Sequence, residues 1–267
     1  RQRQMCIRDR VHVGHSSPVI VFLLAASAFA GWIDAVIGGG GLVLIPVLMS
    51  ATSMPAASVL ATNKVAAISG TASAAATLVR RVGVPCITWV YAFIAGVTAA
   101  LGARAVSLID DSVATPIILV LLVGVGIFVA LNPKFGQEGA GVFSGKRLAL
   151  AALAVAVIGG YDGVFGPGTG MFLIMAFTAV FTQGFVRSAA MAKVVNTATN
   201  LGALFVFGLG GFINWKLALA LAVANVVGAQ LGARTVLKGG STLVRVALLG
   251  LVVTLCAKLG WDLLQHQ

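Results

Sequence analysis

Residues Asp34 to Gly41 read D-A-V-I-G-G-G-G, and in the second half of the chain Asp162 to Gly170 read D-G-V-F-G-P-G-T-G. Each stretch places an acidic side chain and a cluster of glycines in sequence apolar enough to lie in a membrane. A lysine follows each aspartate, Lys64 after 30 residues in A-T-N-K and Lys193 after 31 residues in A-M-A-K. Charge and interrupted helix are both costly inside a bilayer. Their repeated combination indicates a binding site.

The composition is typical of an integral membrane protein. Of the 267 residues, 59% are hydrophobic and 9% are charged, whereas a soluble domain has about 25% charged residues. Apolar stretches of about 20 residues, the length that spans a bilayer, recur along the chain, and the alternation of outer-membrane strands is missing. The net charge of +11 is explained by basic loops rather than by nucleic-acid binding. We therefore predict an all-α polytopic membrane protein with about eight transmembrane helices.

The apolar segments fall into two sets, separated by the polar stretch 132–147. Residues 41–51 and 170–182 are too short to span alone, so they are either continuations of broken helices or arms of re-entrant hairpins. The segments of the first set are 17–37, 41–51, 57–79, 84–108 and 114–131, and those of the second set are 148–165, 170–182, 185–209, 213–237 and 241–263.

The two sets are copies of each other. Asp34 aligns with Asp162, Lys64 with Lys193, and G-A-R at 102–104 with G-A-R at 232–234, at a nearly constant offset. The predicted organisation is an N-terminal tail (1–16), repeat 1 (17–131), a connecting loop (132–147) and repeat 2 (148–264). The first ten residues differ in composition from the rest and are either a cytoplasmic tail or an extension foreign to the gene. An odd number of crossings per repeat would make the repeats inverted and an even number parallel, and the sequence leaves both open.

The predicted site combines the lysines, the glycine clusters and nearby polar side chains. Glycines let the backbone leave the helix, and the next half-helix begins with free N–H groups and a positive dipole end, which favour an anion. Each half brings its own aspartate and lysine, so we expect one ion pair within each half. The predicted substrate-binding residues are Lys64, Lys193, Asn63, Thr62, Asn196, Asn200, Gly38, Gly39, Gly40, Gly41, Gly166, Gly168, Thr169 and Gly170, with Asp34 and Asp162 as counter-ions or coupling groups.

Enzymatic chemistry is not expected. The three histidines lie near the chain ends, the three cysteines are far apart, and no P-loop, zinc motif or nucleophile motif occurs. We therefore predict no catalytic residue, metal or cofactor. The expected partners are a small anionic substrate and the lipid bilayer, with no nucleic acid, and further copies of the chain remain an open alternative.

The motifs resemble those of the TauE/SafE family of sulfite exporters, most closely its YfcA-like branch. The resemblance rests on D-A-V-I-G-G-G-G with A-T-N-K-V-A-A-I-S-G-T-A-S-A, and on Y-D-G-V-F-G-P-G-T-G with A-K-V-V-N-T-A-T-N. It implies a multi-pass protein of the bacterial inner membrane that moves sulfite, sulfonates or related sulfur oxyanions. The predicted function is secondary export of such an anion, with proton coupling through an aspartate as one option. A passive anion channel and a non-transporting assembly partner are the alternatives.

Overall fold

The computed structural model describes residues 17–105 and 141–265. It confirms the predicted all-α polytopic membrane fold, and five of its helices are long and apolar enough to cross a membrane. The eight helices of the described ranges are α1 (Ser17–Ile37), α2 (Gly40–Ala51), α3 (Ala56–Val82), α4 (Ile87–Ala105), α5 (Gly145–Val164), α6 (Thr169–Phe181), α7 (Phe185–Leu209) and α8 (Trp215–Gln265).

The predicted segments differ from these helices in two places. Segments 213–237 and 241–263 form the single helix α8, because the glycines between them weaken a helix by about 1 kcal/mol each but keep its hydrogen bonds. Helix α5 begins at Gly145, inside the predicted connecting loop. The predicted segment 114–131, the tail 1–16 and most of the loop 132–147 lie outside the described residues.

Each short helix folds back along the helix before it. An added Cβ at Gly40, the first residue of α2, would lie 2.7 Å from the Ala30 carbonyl oxygen of α1. Leu44 and Leu48 of α2 then share a buried cluster with Leu23, nearer the start of α1, so α2 runs antiparallel to α1. In the second half, the rings of Tyr161 and Phe172 lie 5.5 Å apart, and the Arg147 guanidinium donates a 3.1 Å hydrogen bond to the Val180 carbonyl. The short segments are therefore arms of re-entrant hairpins, α1–α2 and α5–α6, and not continuations of broken helices.

Equivalent helices of the two halves run in opposite directions. Ala61, near the start of α3, clusters with Phe207, near the end of α7. Val79, near the end of α3, instead lines a groove with Val194 from the first half of α7. Helices α3 and α7 are therefore antiparallel, which is the arrangement of inverted repeats.

The bundle has two ends, which we name after exposed tryptophans. At the Trp89 end, α3 and α6 end while α4, α5 and α7 begin, and the Tyr91 hydroxyl donates a 3.1 Å hydrogen bond to the Leu148 carbonyl. At the Trp215 end, α1, α3 and α8 begin while α4 and α7 end. Trp89 and Trp215 are equivalent in the two halves, and each is more than half exposed. Tryptophans concentrate at both membrane interfaces, so this pair marks opposite faces of the bilayer.

Candidate functional site

The tips of the two hairpins touch in the middle of the bundle. Gly38 ends the first hairpin arm with φ at +79°, and an added Cβ there would lie 2.2 Å from the Gly170 carbonyl carbon. A side chain at Gly38 would thus meet both a left-handed backbone and a second backbone in contact. The glycine clusters therefore bring two helix interruptions against each other, one from each half.

Two ion pairs, one buried and one partly buried, flank this contact and connect the halves. The Lys64 Nζ donates to the Asp162 Oδ2 at 2.8 Å, and the Lys193 Nζ donates to the Asp34 Oδ2 at 2.7 Å. Each ammonium also donates to the backbone carbonyl of the same aspartate. Each aspartate lies in the last turn of a hairpin arm, so a lysine neutralises both its carboxylate and the negative end of that helix.

This pairing corrects the prediction of one ion pair within each half. Asp34 is paired with the lysine of α7, and Asp162 with the lysine of α3, so both pairs cross between halves. The antiparallel packing of α3 against α7 is the physical reason. Each lysine is the ninth residue of its helix, and the two helices enter from opposite ends, so each ammonium meets the hairpin tip of the other half.

The carboxylates also bind the starts of the short helices. The Gly40 N–H donates to the Asp34 Oδ1 at 3.4 Å, and the Thr169 hydroxyl donates to the Asp162 Oδ1 at 2.8 Å. An anion at the start of a helix is stabilised by the free N–H groups and the positive dipole end. Each aspartate is thus an internal anion, held between a helix N-terminus and an ammonium group.

A small cavity lies between the two pairs. Its volume is about 20 Å³, which is room for roughly one water molecule. An added Cβ at Gly166 would lie 3.0 Å from the Lys64 Nζ, so glycine there leaves the ammonium accessible from the cavity. The lining residues are Asp34, Gly38, Gly41, Asn63, Lys64, Ala67, Asp162, Gly166, Gly168, Gly170, Asn196 and Asn200.

Five predicted site residues lie outside this lining. Lys193 and Gly40 hydrogen-bond Asp34, and Thr169 hydrogen-bonds Asp162. These three residues therefore contact the aspartates of the lining without lining the cavity themselves. Gly39 is buried as the N-cap of α2. The Thr62 hydroxyl accepts a 3.3 Å hydrogen bond from the Asn214 N–H at the Trp215 end, so Thr62 fixes the start of α8 instead.

Two lining or contact residues are missing from the predicted substrate-binding set, although Thr71 was expected to contribute weakly beside Lys64. Ala67 lines the cavity, and the Thr71 hydroxyl lies 3.4 Å from the Asp34 Oδ2. The repeat could have indicated both, because the offset between Lys64 and Lys193 places Ala67 opposite Asn196 and Thr71 opposite Asn200. The second half therefore contributes amides where the first half has a methyl and a hydroxyl group.

The arrangement brings together the kinds of groups that bind an anion. The Lys64 ammonium and three amide side chains line the cavity, and the Lys193 ammonium and the two helix starts contact the aspartates that line it. A charged side chain at the centre of a bilayer costs about 2.5–3.5 kcal/mol, so four such groups need internal partners. A multi-pass helical bundle whose halves are inverted and meet at a central, charged, glycine-lined site is typical of a membrane transport protein.

Comparison with known proteins specifies the class. The family model described as "Sulfite exporter TauE/SafE" matches residues 23–259. The chain belongs to the TauE/SafE family, as the resemblance of its motifs predicted, and it is a membrane transporter of that family.

Bacterial relatives resemble the chain over nearly its whole length. The probable membrane transporter protein YfcA of Escherichia coli K12 is 34% identical over 254 residues, which cover 92% of this chain and 91% of the relative. A probable membrane transporter protein of Haemophilus influenzae is 32% identical over 253 residues, covering 91% and 95%. The probable membrane transporter protein ORF9 of a Sinorhizobium species is 31% identical over 245 residues, covering 90% and 92%. No solved structure matches the chain.

Proposed function

We propose that the protein exports a small sulfur oxyanion, such as sulfite or an organosulfonate, across the bacterial inner membrane. The observation that carries the proposal is the pair of crossed Lys–Asp contacts at the hairpin tips. Each carboxylate is bound by an ammonium and a helix start, which are the groups that recognise oxyanions. A substrate anion would take over these contacts from the aspartates.

The size of the cavity defines how the site must move. At about 20 Å³ it is too small for an oxyanion, so the hairpin tips or the aspartates move apart when substrate enters. The two pairs lie on opposite sides of the Gly38–Gly170 contact because α3 and α7 enter from opposite ends. Opening one pair at a time would expose the site to one face of the membrane, which is alternating access.

Displacement of an aspartate offers a route to proton coupling. A carboxylate that loses its ammonium partner in a buried site is strongly disfavoured unless it takes up a proton. Asp162 is 2% exposed and Asp34 is 14% exposed, so both depend on their partners. Anion entry would thus be accompanied by protonation of Asp34 or Asp162, and the proton would leave when the ion pair forms again.

The orientation follows from the basic residues at the two ends. The described part of the chain has Arg104 and Lys216 at the Trp215 end, and a larger basic group at the Trp89 end. By the positive-inside rule, the Trp89 end faces the cytoplasm. Its group consists of Arg80, Arg81, Lys146, Arg147, Arg187, Arg234 and Lys238.

The test is sulfite flux into proteoliposomes with each pair neutralised as a unit. The variants Asp162→Asn/Lys64→Met and Asp34→Asn/Lys193→Met leave no buried lone charge, and Lys216→Met removes an exposed lysine as the control. Loss of a charge-assisted hydrogen bond costs about 1.5–3 kcal/mol, so each pair variant should lose roughly 10- to 100-fold in flux. Flux equal to that of the control in both pair variants would refute the proposal.

The same assay separates the alternatives. Flux through a channel would follow the membrane potential without saturating and would not respond to a proton gradient. An assembly partner would be correctly folded and move none of the anions tested, which should include thiosulfate, sulfoacetate, taurine and anions without sulfur. Saturable sulfite flux that responds to a pH gradient supports the exporter with proton coupling.

A further inference from the structure

Two adjoining grooves lie on the outside of the bundle at its Trp89 end. The first has a volume of about 300 Å³ and opens between α3, α4 and α7. Its floor is formed by small α3 side chains over two turns, and the exposed ring of Trp89 stands at its side. We refer to it as the apolar groove, and its lining residues are Ala72, Ala75, Ala76, Val79, Arg80, Trp89, Val194 and Thr197.

The second groove, the basic groove, lies between α3 and α8 and has a volume of about 460 Å³. Gln230 fixes the two helices there, because its side chain amide donates to the Ser73 carbonyl at 2.9 Å and its oxygen accepts from the Thr77 hydroxyl at 3.0 Å. Four cationic side chains converge in it. The lining residues are Thr77, Arg80, Arg81, Gln230, Arg234, Leu237 and Lys238.

No carboxylate whose position is described neutralises the basic groove. Asp34 and Asp162 are the acidic residues whose side chains are described, and both are held by the buried lysines. Single arginines at the end of a span often extend toward the lipid headgroups without forming a site. Here the cations come from two helices, one in each half, and face one concavity, which favours a phosphate-bearing ligand over independent side chains.

Arg80 lines both grooves and therefore joins them. From these observations we propose that an anionic phospholipid binds at this place, with its phosphate headgroup in the basic groove and one acyl chain in the apolar groove. A free anion would gain nothing from the alanine-lined apolar groove. A phospholipid has an anionic headgroup that suits the basic groove and an acyl chain that suits the apolar groove. Basic pockets between helices on the cytoplasmic side bind anionic headgroups in other membrane proteins.

The position of the site suggests what the lipid does. Helices α3 and α7 each carry both a lysine of the central site and a residue of the apolar groove. Helix α3 has Lys64 and Arg80, and α7 has Lys193 and Val194. A lipid bound across α3, α4, α7 and α8 would therefore hold together α3 and α7, the helices of the two halves that carry the lysines of the central ion pairs. This inference concerns lipid binding and does not depend on which anion is transported.

Trp89 provides the measurement because it borders the proposed acyl chain. The purified full-length protein is reconstituted with a small fraction of brominated phosphatidylglycerol or, in parallel, brominated phosphatidylcholine. The quenching of Trp89 is the difference between the wild-type signal and that of Trp89→Phe. We expect stronger quenching by the anionic lipid at equal lipid fraction.

Charge-matched variants decide the assignment. Arg80→Gln/Arg234→Gln should reduce the preference for phosphatidylglycerol about 25-fold, equivalent to about 2 kcal/mol at roughly 1 kcal/mol per basic residue. Arg104→Gln/Lys216→Gln, with the same loss of charge at the Trp215 end, should retain the preference. Equal quenching by both lipids, or equal loss in both variants, overturns the proposal. So does removal of the preference by free phosphate or sulfite, which would assign the basic groove to a soluble anion.

Discussion

Neutralising one lysine of a crossed pair leaves a buried carboxylate without its cation, and the loss should depend on how buried that carboxylate is. Breaking a buried ion pair by removing one partner costs about 3–5 kcal/mol. Asp162 is 2% exposed and Asp34 is 14% exposed. We therefore expect Lys64→Met to lie at the upper end of this range and Lys193→Met at the lower end. At about 2–4 °C per kcal/mol, the melting temperature should fall by roughly 6–20 °C.

Double-mutant cycles then identify the partner of each lysine. Asp162→Asn added to Lys64→Met, and Asp34→Asn added to Lys193→Met, should each recover stability, with a coupling energy of up to about 3 kcal/mol. The cycles that combine Asp34 with Lys64, or Asp162 with Lys193, contain no direct contact and should couple at least about 1 kcal/mol more weakly. The assay is thermal unfolding of the purified protein in one detergent. Stronger coupling within halves than between them would refute the crossed arrangement.

Three further outcomes follow from the same geometry. Gly38→Ala should destabilise the protein by about 2–4 kcal/mol, because its Cβ would enter the Gly170 backbone at a left-handed φ, while Gly160→Ala, whose Cβ meets nothing within 4 Å, should be nearly neutral in thermal unfolding. In a protein lacking Cys6 and Cys256, an impermeant maleimide should label exposed Cys86 only in inverted vesicles. When Cys86 is also replaced, Lys216→Cys should be labelled only in spheroplasts, and the same sidedness for both cysteines would contradict inverted halves. Asn200→Leu should raise the KM for the transported anion about three- to tenfold through one lost hydrogen bond, whereas Thr197→Val, outside the cavity, should leave it unchanged.

The residue types of the site could be predicted from the sequence because charge inside apolar sequence is rare. Both aspartates and both lysines could be singled out as charges inside apolar sequence, and their recurrence in the two halves supported a shared site. Their pairing could not be predicted, since a separation of 30 residues favours a contact within one half. The antiparallel packing of α3 against α7 pairs each lysine with the aspartate of the other half. This packing joins distant parts of the chain, so local sequence does not reveal it.

The course of the chain at the glycines was predicted only in part. A glycine run permits a broken helix that continues or a hairpin that returns, because glycine adopts either backbone conformation. The contact of α2 with Ala30 and Leu23 decides for the hairpin. Gly239 and Gly240 had the same local signal as a break, yet α8 continues through them. Thr62 lies only two residues before Lys64 in sequence but on another face of α3, where it binds the start of α8.

In the proposed function, Lys64 and Lys193 bind one small oxyanion between them in place of the aspartates. Equilibrium binding of radiolabelled sulfite to the purified protein tests it most directly, with the Asp34→Asn/Lys193→Met and Asp162→Asn/Lys64→Met pair variants beside the Lys216→Met control. We predict one sulfite per chain for the wild type and the control, and strongly weakened binding when either pair is neutralised. Binding that survives neutralisation of either pair unchanged, or two independent sulfites per chain, would contradict a single site shared by the two lysines.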